Sequence, residues 1–147
     1  MKNIKLSSGV AILFKNKILL GHPTNQPWIN SFSPPKGSID NNETYLEAAL
    51  RETYEEVGIK INKEQISNID SQIEFIYTNK KGVIFKKCYI FIVNINSLSE
   101  IGIQSEIINK KQLQLSEIDW AGFVTKEEAI DKIFFRFQPL LNMINEN

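Results

Sequence analysis

Residues 44–57 form the stretch of this chain with the least structural freedom. Leu46, Ala49, Leu50, Thr53 and Val57 recur at the three- and four-residue spacing of one helix face. Asn42 or Asn41 can cap the start, and Gly58 supplies the left-handed residue just past the end. A short amphipathic helix fixed at both ends needs an apolar surface to lie on, and the flanking sequence offers strands. Residues 10–14 and 17–20 are β-prone runs joined by Lys15-Asn16, a tight hairpin. Residues 72–78 and 83–95 form a longer hairpin turning at Asn79-Lys80-Lys81-Gly82, and residues 118–124 are a further short strand. Pro34 and Pro35 bar a helix and deliver Lys36-Gly37 at the end of an extended segment. Thr125-Lys126-Glu127-Glu128 has the form of a capping box and opens a helix to about Phe134, and residues 139–144 form a last short helix. Residues 97–115 are polar with weak periodicity and read as loop. Strands in hairpins with few helices predict a mixed α/β class with a largely antiparallel sheet. A chain of 147 residues is expected to fold as one domain over residues 1–147, with a core that needs no staples.

Composition removes several function classes. The single cysteine, Cys88, excludes an internal disulfide framework, and with the single histidine, His22, it excludes zinc sites built on paired His and Cys ligands. Seventeen basic residues balance seventeen acidic ones, so nothing draws the chain as a whole to DNA, RNA or an anionic membrane. The longest apolar run, residues 89–95, is strand length and far short of the ~18 residues of a membrane span. Ser7-Ser8-Gly9 interrupts any signal-like stretch near the N-terminus, which makes the cytoplasm the expected compartment. Arginine is scarce in this lysine-rich chain, only Arg51 and Arg136, so Arg51 stands out inside the helix.

Glu52, Glu55 and Glu56 project over one arc of that helix. Neighbouring like charges at ~6 Å repel by roughly 1–3 kcal/mol, and a helix does not need that to fold. A divalent cation reverses the sign of the interaction, and all-oxygen ligands select hard ions such as Mg²⁺ or Mn²⁺. A solvated charged face is the plainer alternative.

The wider pattern weighs against that alternative. Gly37, five residues, Glu43, seven residues, Arg51-Glu52, then Glu55-Glu56 and Gly58-Ile59 match the signature of the Nudix box, residues 37–59. Seven such identities, at background frequencies of roughly 5–7% each, are not expected by chance in so short a chain. The chain resembles the Nudix hydrolase family. The preceding hairpin, Pro35-Lys36-Gly37, and Ser116-Glu117-Ile118-Asp119 followed by Phe123-Val124-Thr125-Lys126-Glu127-Glu128-Ala129 look like the family's usual context. Phe123 stands where many relatives carry tryptophan, and Thr53 where the residue is usually aliphatic.

The resemblance implies an α/β/α sandwich and a metal-dependent hydrolase of nucleoside diphosphates linked to a further group X. Glu52, Glu55 and Glu56 would hold Mg²⁺ (or Mn²⁺), joined by the backbone carbonyl near Gly37. Arg51 would pair with Glu43 to fix the loop against the helix; a surface pair with Glu47 or Glu55 is its alternative. Gly37 and Gly58 would serve backbone conformation, and Lys36 would lie near the phosphates. Glu55 or Glu52 would take the proton of the attacking water. Outside the box, Glu117 is favoured over Glu106 as an added carboxylate, with an exposed loop glutamate as the alternative. His22 reads as a strand-end or loop residue rather than a general base. Trp28, Phe32, Tyr77 and Tyr89 are the rings on which a base could stack. The approach to Gly37 resembles that of diadenosine tetraphosphate hydrolases, with an extra Ser-Pro, so the favoured substrate is a dinucleoside polyphosphate or similar nucleotide. A nucleoside triphosphate pyrophosphohydrolase, an RNA 5′-end pyrophosphohydrolase and a non-catalytic nucleotide-binding module are the alternatives. The RNA reading has only Lys80-Lys81 with Lys86-Lys87, and Lys110-Lys111, as basic patches, and the module reading must account for an intact set of motif glutamates.

Overall fold

The computed structural model describes residues 3–69 and 72–144. Lys15, in the left-handed conformation at φ 55°, turns β1 (Lys5–Phe14) onto β2 (Lys17–Pro23), so that Leu13 faces Ile18 and Phe14 faces Lys17. The second hairpin joins β4 (Ile73–Thr78) to β5 (Ile84–Ile95). The Asn79 side chain sets that turn by accepting from the N–H groups of Lys81 and Val83, at 2.8 and 3.0 Å. The sheet order is β4-β5-β1-β2-β6, with β3 (Lys36–Ser38) pairing with the start of β1 and β6 (Ile118–Thr125) lying antiparallel to β2. Among the strands of the described residues, β1 and β5 alone pair in parallel, along the whole of β1. The sheet is therefore mixed and largely antiparallel, as expected.

A central parallel pair buried on both faces gives near-continuous apolar runs rather than alternation. Val10, Ile12 and Phe14 enter one core while Ala11 and Leu13 enter the other. Helix α1 (Tyr45–Val57) covers the first face, setting Ala49 and Val57 against Val10, Ile12, Phe91 and Val93. The second face is covered by α2 (Lys126–Ala129) and a 3-10 run, Phe135–Met143, which bring Ala129, Phe137 and Leu140 onto Ala11, Leu13 and Ile90. Thr53 tolerates its buried position because its hydroxyl donates to Ala49 O at 2.8 Å. Phe123 packs edge-on against Phe14, with ring centroids 5.6 Å apart.

Three local expectations need correction. Thr44, not Asn42 or Asn41, caps α1: its hydroxyl accepts from Glu47 N–H, and the Glu47 carboxylate accepts from Thr44 N–H, at 3.0 and 2.9 Å. Asn42 instead turns the loop, at φ 66°. Helix α2 stops at Ala129 rather than near Phe134 because the backbone beyond it is used elsewhere. Asn30 N–H donates to Asp131 O, Ser31 and Phe32 N–H donate to Lys132 O, and Phe134 N–H donates to Phe32 O. The last helix begins earlier than expected, at Phe135, and winds as 3-10 with Pro139 inside it. Residues 97–115 are mostly loop, yet Ile101, Ile103, Ile108 and Leu113 reach the core. Among the described residues no helix is long and apolar enough to cross a membrane.

Candidate active site

Pro34 and Pro35 keep β3 short, and β3 lays Gly37 beside Ser8 of β1 under the C-terminal half of α1. A side chain at position 37 has no room while Glu52 keeps its place, because a Cβ there would fall inside the Glu52 carboxylate. Gly58, at φ 70°, ends the helix by donating to Tyr54 O at 2.9 Å. The two box glycines thus bracket the acidic turns of α1 over a cleft of about 390 Å³. Glu52, Glu55 and Glu56 line one wall, Ser7, Lys36 and Lys86 line another, and Gln114 and Glu117 complete the rim.

Arg51 is the hub of the loop. Its Nε and Nη2 grip the Glu43 carboxylate at 2.7 and 3.0 Å, and Nη2 also donates to Ser38 O at 2.9 Å. Its Nη1 reaches Glu52 at 3.0 Å and Glu55 at 3.2 Å. A planar fork is needed to hold so many oxygens at once, which lysine cannot do. The Glu43 pairing and the Glu55 pairing are therefore both present, while Glu47 is occupied by the helix cap. The Arg51 hydrogen bond holds the Glu43 carboxyl below the usual carboxylate range, and Glu43 in turn raises the guanidinium further.

The three cleft carboxylates differ in setting. Glu55 is exposed and held by Arg51. Burial raises the Glu52 carboxyl, with Arg51 opposing. Glu56 is pushed up to about 7, first by burial, with the charges of Glu52 and Glu117 adding and Lys36 opposing. Its only hydrogen bond among the described residues is from Lys36 N–H, at 3.3 Å. As the side chains stand, no three acidic, histidine or cysteine groups among the described residues converge closely enough to hold an ion. An ion in the cleft would compete with Arg51 for Glu52 and Glu55, but not for Glu56. The donor set fits a hard divalent cation: it is all oxygen, faces one cleft, and contains a desolvated carboxylate that no ion pair among the described residues compensates.

Glu117 reaches this cleft and Glu106 does not. The Glu117 backbone is fixed by donating to Gln114 O at 2.8 Å and accepting from Thr24 N–H at 2.9 Å. Glu106 instead pairs with Lys17 at 2.5 Å. His22 is buried in β2, with Nδ1 2.5 Å from Asp119 Oδ1 and Nε2 2.9 Å from Gln26 O, outside the cleft lining. Of the four candidate stacking rings, Phe32, Tyr77 and Tyr89 are buried, while Trp28 is 54% exposed and stacks on His22 at 3.6 Å. None of the four lines the cleft. Ser7, Ser38 and Gln114 are cleft residues that sequence reasoning missed, and Lys86 was named only as part of a basic patch for the RNA reading. Period-two alternation along β5 was the available clue, since it separates Lys86 from Lys87, which pairs with Glu74 at 3.8 Å.

Comparison with known proteins agrees with this arrangement. The NUDIX domain model matches residues 5–136. A curated relative, the RNA pyrophosphohydrolase of Pelagibacter ubique (strain HTCC1062), is 37% identical over 92 residues, 59% of this chain. That match spans about half the relative's length, 56%. Among solved structures, a C. elegans Ap4A hydrolase binary complex is similar at a TM-score of 0.66 and 25% identity, over 95% of this chain and 93% of that one. A bifunctional NMN adenylyltransferase/ADP ribose pyrophosphatase from Francisella tularensis, complexed with AMP and Mn ion, shares the fold at a TM-score of 0.71 and 14% identity. It is covered over 97% of this chain but 42% of its own. Since the matched model takes in every strand of the sheet and the whole of the box, the chain belongs to the Nudix hydrolase family, whose members generally use divalent metals.

Proposed function

We propose that this protein is a Mg²⁺- or Mn²⁺-dependent pyrophosphohydrolase acting on a nucleoside diphosphate linked to X, with a dinucleoside polyphosphate as the favoured substrate. The observation that supports it is a single cleft with the box carboxylates on one wall and Lys36 and Lys86 on another. Glu52, Glu55 and Glu56, with the Gly37 carbonyl, would hold the metal. When bound, the metal neutralises the polyphosphate and lowers the pKa of water. Lys36 steadies a phosphate from the opposite wall. Arg51 fixes the Glu43 loop against α1 and so keeps Gly37 beside Glu52.

In the reaction a water oxygen bonds to phosphorus in line with the anhydride bond that breaks, and the displaced phosphate leaves with the bonding electron pair. The water's proton passes to a carboxylate oxygen. Glu117 suits that role because among the described residues it makes no ion pair, whereas Arg51 holds both Glu52 and Glu55. Glu55 and Glu52 are the alternatives inside the box.

The C. elegans structure supports the dinucleoside polyphosphate reading, together with the Pro35-Lys36-Gly37 approach. The name of the Pelagibacter relative supports a second reading, removal of pyrophosphate from an RNA 5′ end. The balanced charge of the chain offers that reading little help. A cytoplasmic setting fits the single free cysteine. The deciding experiment offers diadenosine tetraphosphate, nucleoside triphosphates, ADP-ribose and a 5′-triphosphorylated RNA to the purified protein with Mg²⁺, with Mn²⁺ and with excess chelator. The dinucleotide should be turned over fastest, and only with metal. Full turnover in chelator would overturn the metal-hydrolase reading, and preference for the RNA would replace the substrate.

A further inference from the structure

The register between β2 and β6 breaks close to the acidic rim of the cleft. His22 pairs with Trp120 but Pro23 pairs with Ile118, so Asp119 is an extra residue on β6, two positions after Glu117. A bulge of this kind re-aims a side chain, and here the Asp119 carboxylate meets Nδ1 of the buried His22 ring at 2.5 Å. The other ring nitrogen, Nε2, lies 2.9 Å from Gln26 O and 3.2 Å from Pro27 O. A carboxylate and two carbonyls can only accept, so both nitrogens are satisfied at once only by a ring that carries two protons. Trp28 stacks on that ring with planes 6° from parallel, and Phe32 stands 5.2 Å away, centroid to centroid. Among the described residues Asp119 is the one charged side chain that pairs with it.

The loop beyond His22 has little else to hold it. Residues 25–30 are all exposed, none belongs to the core, and Asn25 and Asn30 take left-handed conformations at φ 67° and 49°. Its middle is tied by the His22 ring at Gln26 and Pro27, and by the Ser31 hydroxyl, which donates to Pro27 O. Its first residue reaches the cleft segment. Thr24 N–H donates to Glu117 O at 2.9 Å, and the Thr24 hydroxyl donates to Leu115 O at 2.8 Å. From the other side Gln114 N–H donates to Glu56 O at 2.9 Å. The segment that carries Glu117 is therefore held between α1 and this loop. A phenylalanine at position 22 would pack against Trp28 and Phe32 as well, at a lower desolvation cost. What it could not do is hold the bulged carboxylate and the loop carbonyls together.

We infer that His22 and Asp119 are positioning residues for the hydrolysis: they latch residues 24–28 to the β6 bulge and, through Thr24, fix Glu117 at the rim of the cleft. The inference rests on the reading in which Glu117 takes the water's proton, and deepens it. The latch itself lies outside the cleft lining. Its response to pH follows from the ring. With two protons the ring bridges strand and loop; raising the pH removes one, and the neutral ring keeps either Asp119 or the loop carbonyls, which loosens Glu117. Asparagine at position 119 changes this, because its amide donates to a bare Nδ1 while Nε2–H still donates to Gln26 O. A neutral ring then closes the latch.

The test compares His22→Phe, Asp119→Ala and Asp119→Asn, by kinetics at saturating Mg²⁺ on whichever nucleotide the wild type hydrolyses and by amide hydrogen exchange at Thr24. His22→Phe keeps a flat ring but neither hydrogen bond. Asp119→Ala spares the core, since that side chain is 36% exposed. Both should lower kcat by roughly threefold to thirtyfold with KM little changed, and should speed exchange of Thr24 N–H by about fivefold to fiftyfold. Asp119→Asn should recover most of both losses and show a flatter alkaline limb of kcat than the wild type. Added to Glu117→Gln, His22→Phe should lower kcat no further, because it acts through Glu117. His22 is the single histidine of the chain, so its ¹⁵N ring signals need no assignment. Both nitrogens should carry protons in the wild type while Thr24 N–H is protected, and one should be bare once it is not.

Unchanged kcat or unchanged Thr24 exchange in both His22→Phe and Asp119→Ala would overturn the latch. So would losses confined to KM, an Asp119→Asn no better than Asp119→Ala, or losses that simply add to that of Glu117→Gln. A kinetically silent Glu117→Gln, or a wild type without turnover, would sink the reading of Glu117 and the latch together. A strong Glu117→Gln effect beside silent latch variants would sink the latch alone.

Discussion

Glu56→Gln removes the one cleft glutamate of the box that Arg51 does not touch. In the metal-free protein its carboxyl titrates at about 7 rather than 4.5, chiefly because it is buried. The unfolded chain gives up that proton near 4.5 and the folded chain near 7, so between those values the folded state holds more protons. Stability therefore falls as pH rises through that window and the penalty stays constant above it. At ~1.4 kcal/mol per unit the full shift corresponds to about 3 kcal/mol, and water entering the cleft screens it to about 1–3 kcal/mol. Glutamine keeps an oxygen for Lys36 N–H but carries no charge at any pH. In excess chelator at pH 8 the variant should melt above the wild type by ~2–12 °C, and near pH 4 the gap should close. Excess Mg²⁺ should reverse the order at pH 8, because the ion stabilises only the protein that binds it. Melting curves at pH 4, 6 and 8, with chelator and with Mg²⁺, measure all of this. A variant that melts below the wild type at pH 8 without metal, or a gap that ignores pH, would refute the reasoning. Turnover by the variant should be almost abolished with its fold intact.

Arg51→Ala should lose stability and activity together, by about 2–4 kcal/mol in denaturant titrations, since it unmakes the grip on Glu43 and Ser38. Normal melting with dead chemistry would instead place Arg51 on the substrate. Glu117→Gln should lower kcat on the order of tenfold to a thousandfold at saturating Mg²⁺ if Glu117 takes the water's proton. Rescue by added metal would make it a ligand only, and unchanged kinetics would return the role to the box. Gly37→Ala should fold, because the obstructing Glu52 carboxylate is the end of a flexible side chain, yet lose most Mg²⁺ affinity in a metal titration. Retained affinity would show that Glu52 need not stay beside the loop.

The sequence by itself determined the parts whose physics is local. The face of α1 follows from side-chain period, both hairpins follow from their turn residues, and the capping box at Thr125 is a local pattern spanning three positions. Helical spacing alone puts Glu52, Glu55 and Glu56 on one arc of α1, whereas the pairing of Arg51 with Glu43 across the loop was implied only by the family resemblance and is made by the fold. Competition between local preferences was harder to read: Asn42 and Thr44 are both good caps, and only the capping box partner Glu47 separates them. Tertiary structure decided what depends on contacts distant in sequence. Helix α2 ends at Ala129 because residues 30–32 take the backbone beyond it. The loop of residues 97–115 is buried at Ile101, Ile103, Ile108 and Leu113 because sheet and helix leave a place for them. The parallel pairing of β1 with β5 has no turn to announce it, since its strands are joined through the whole box and the second hairpin. That pairing alone brings Ser7 level with Cys88 and sets Lys86 beside the cleft, opposite the carboxylates the sequence had already assembled.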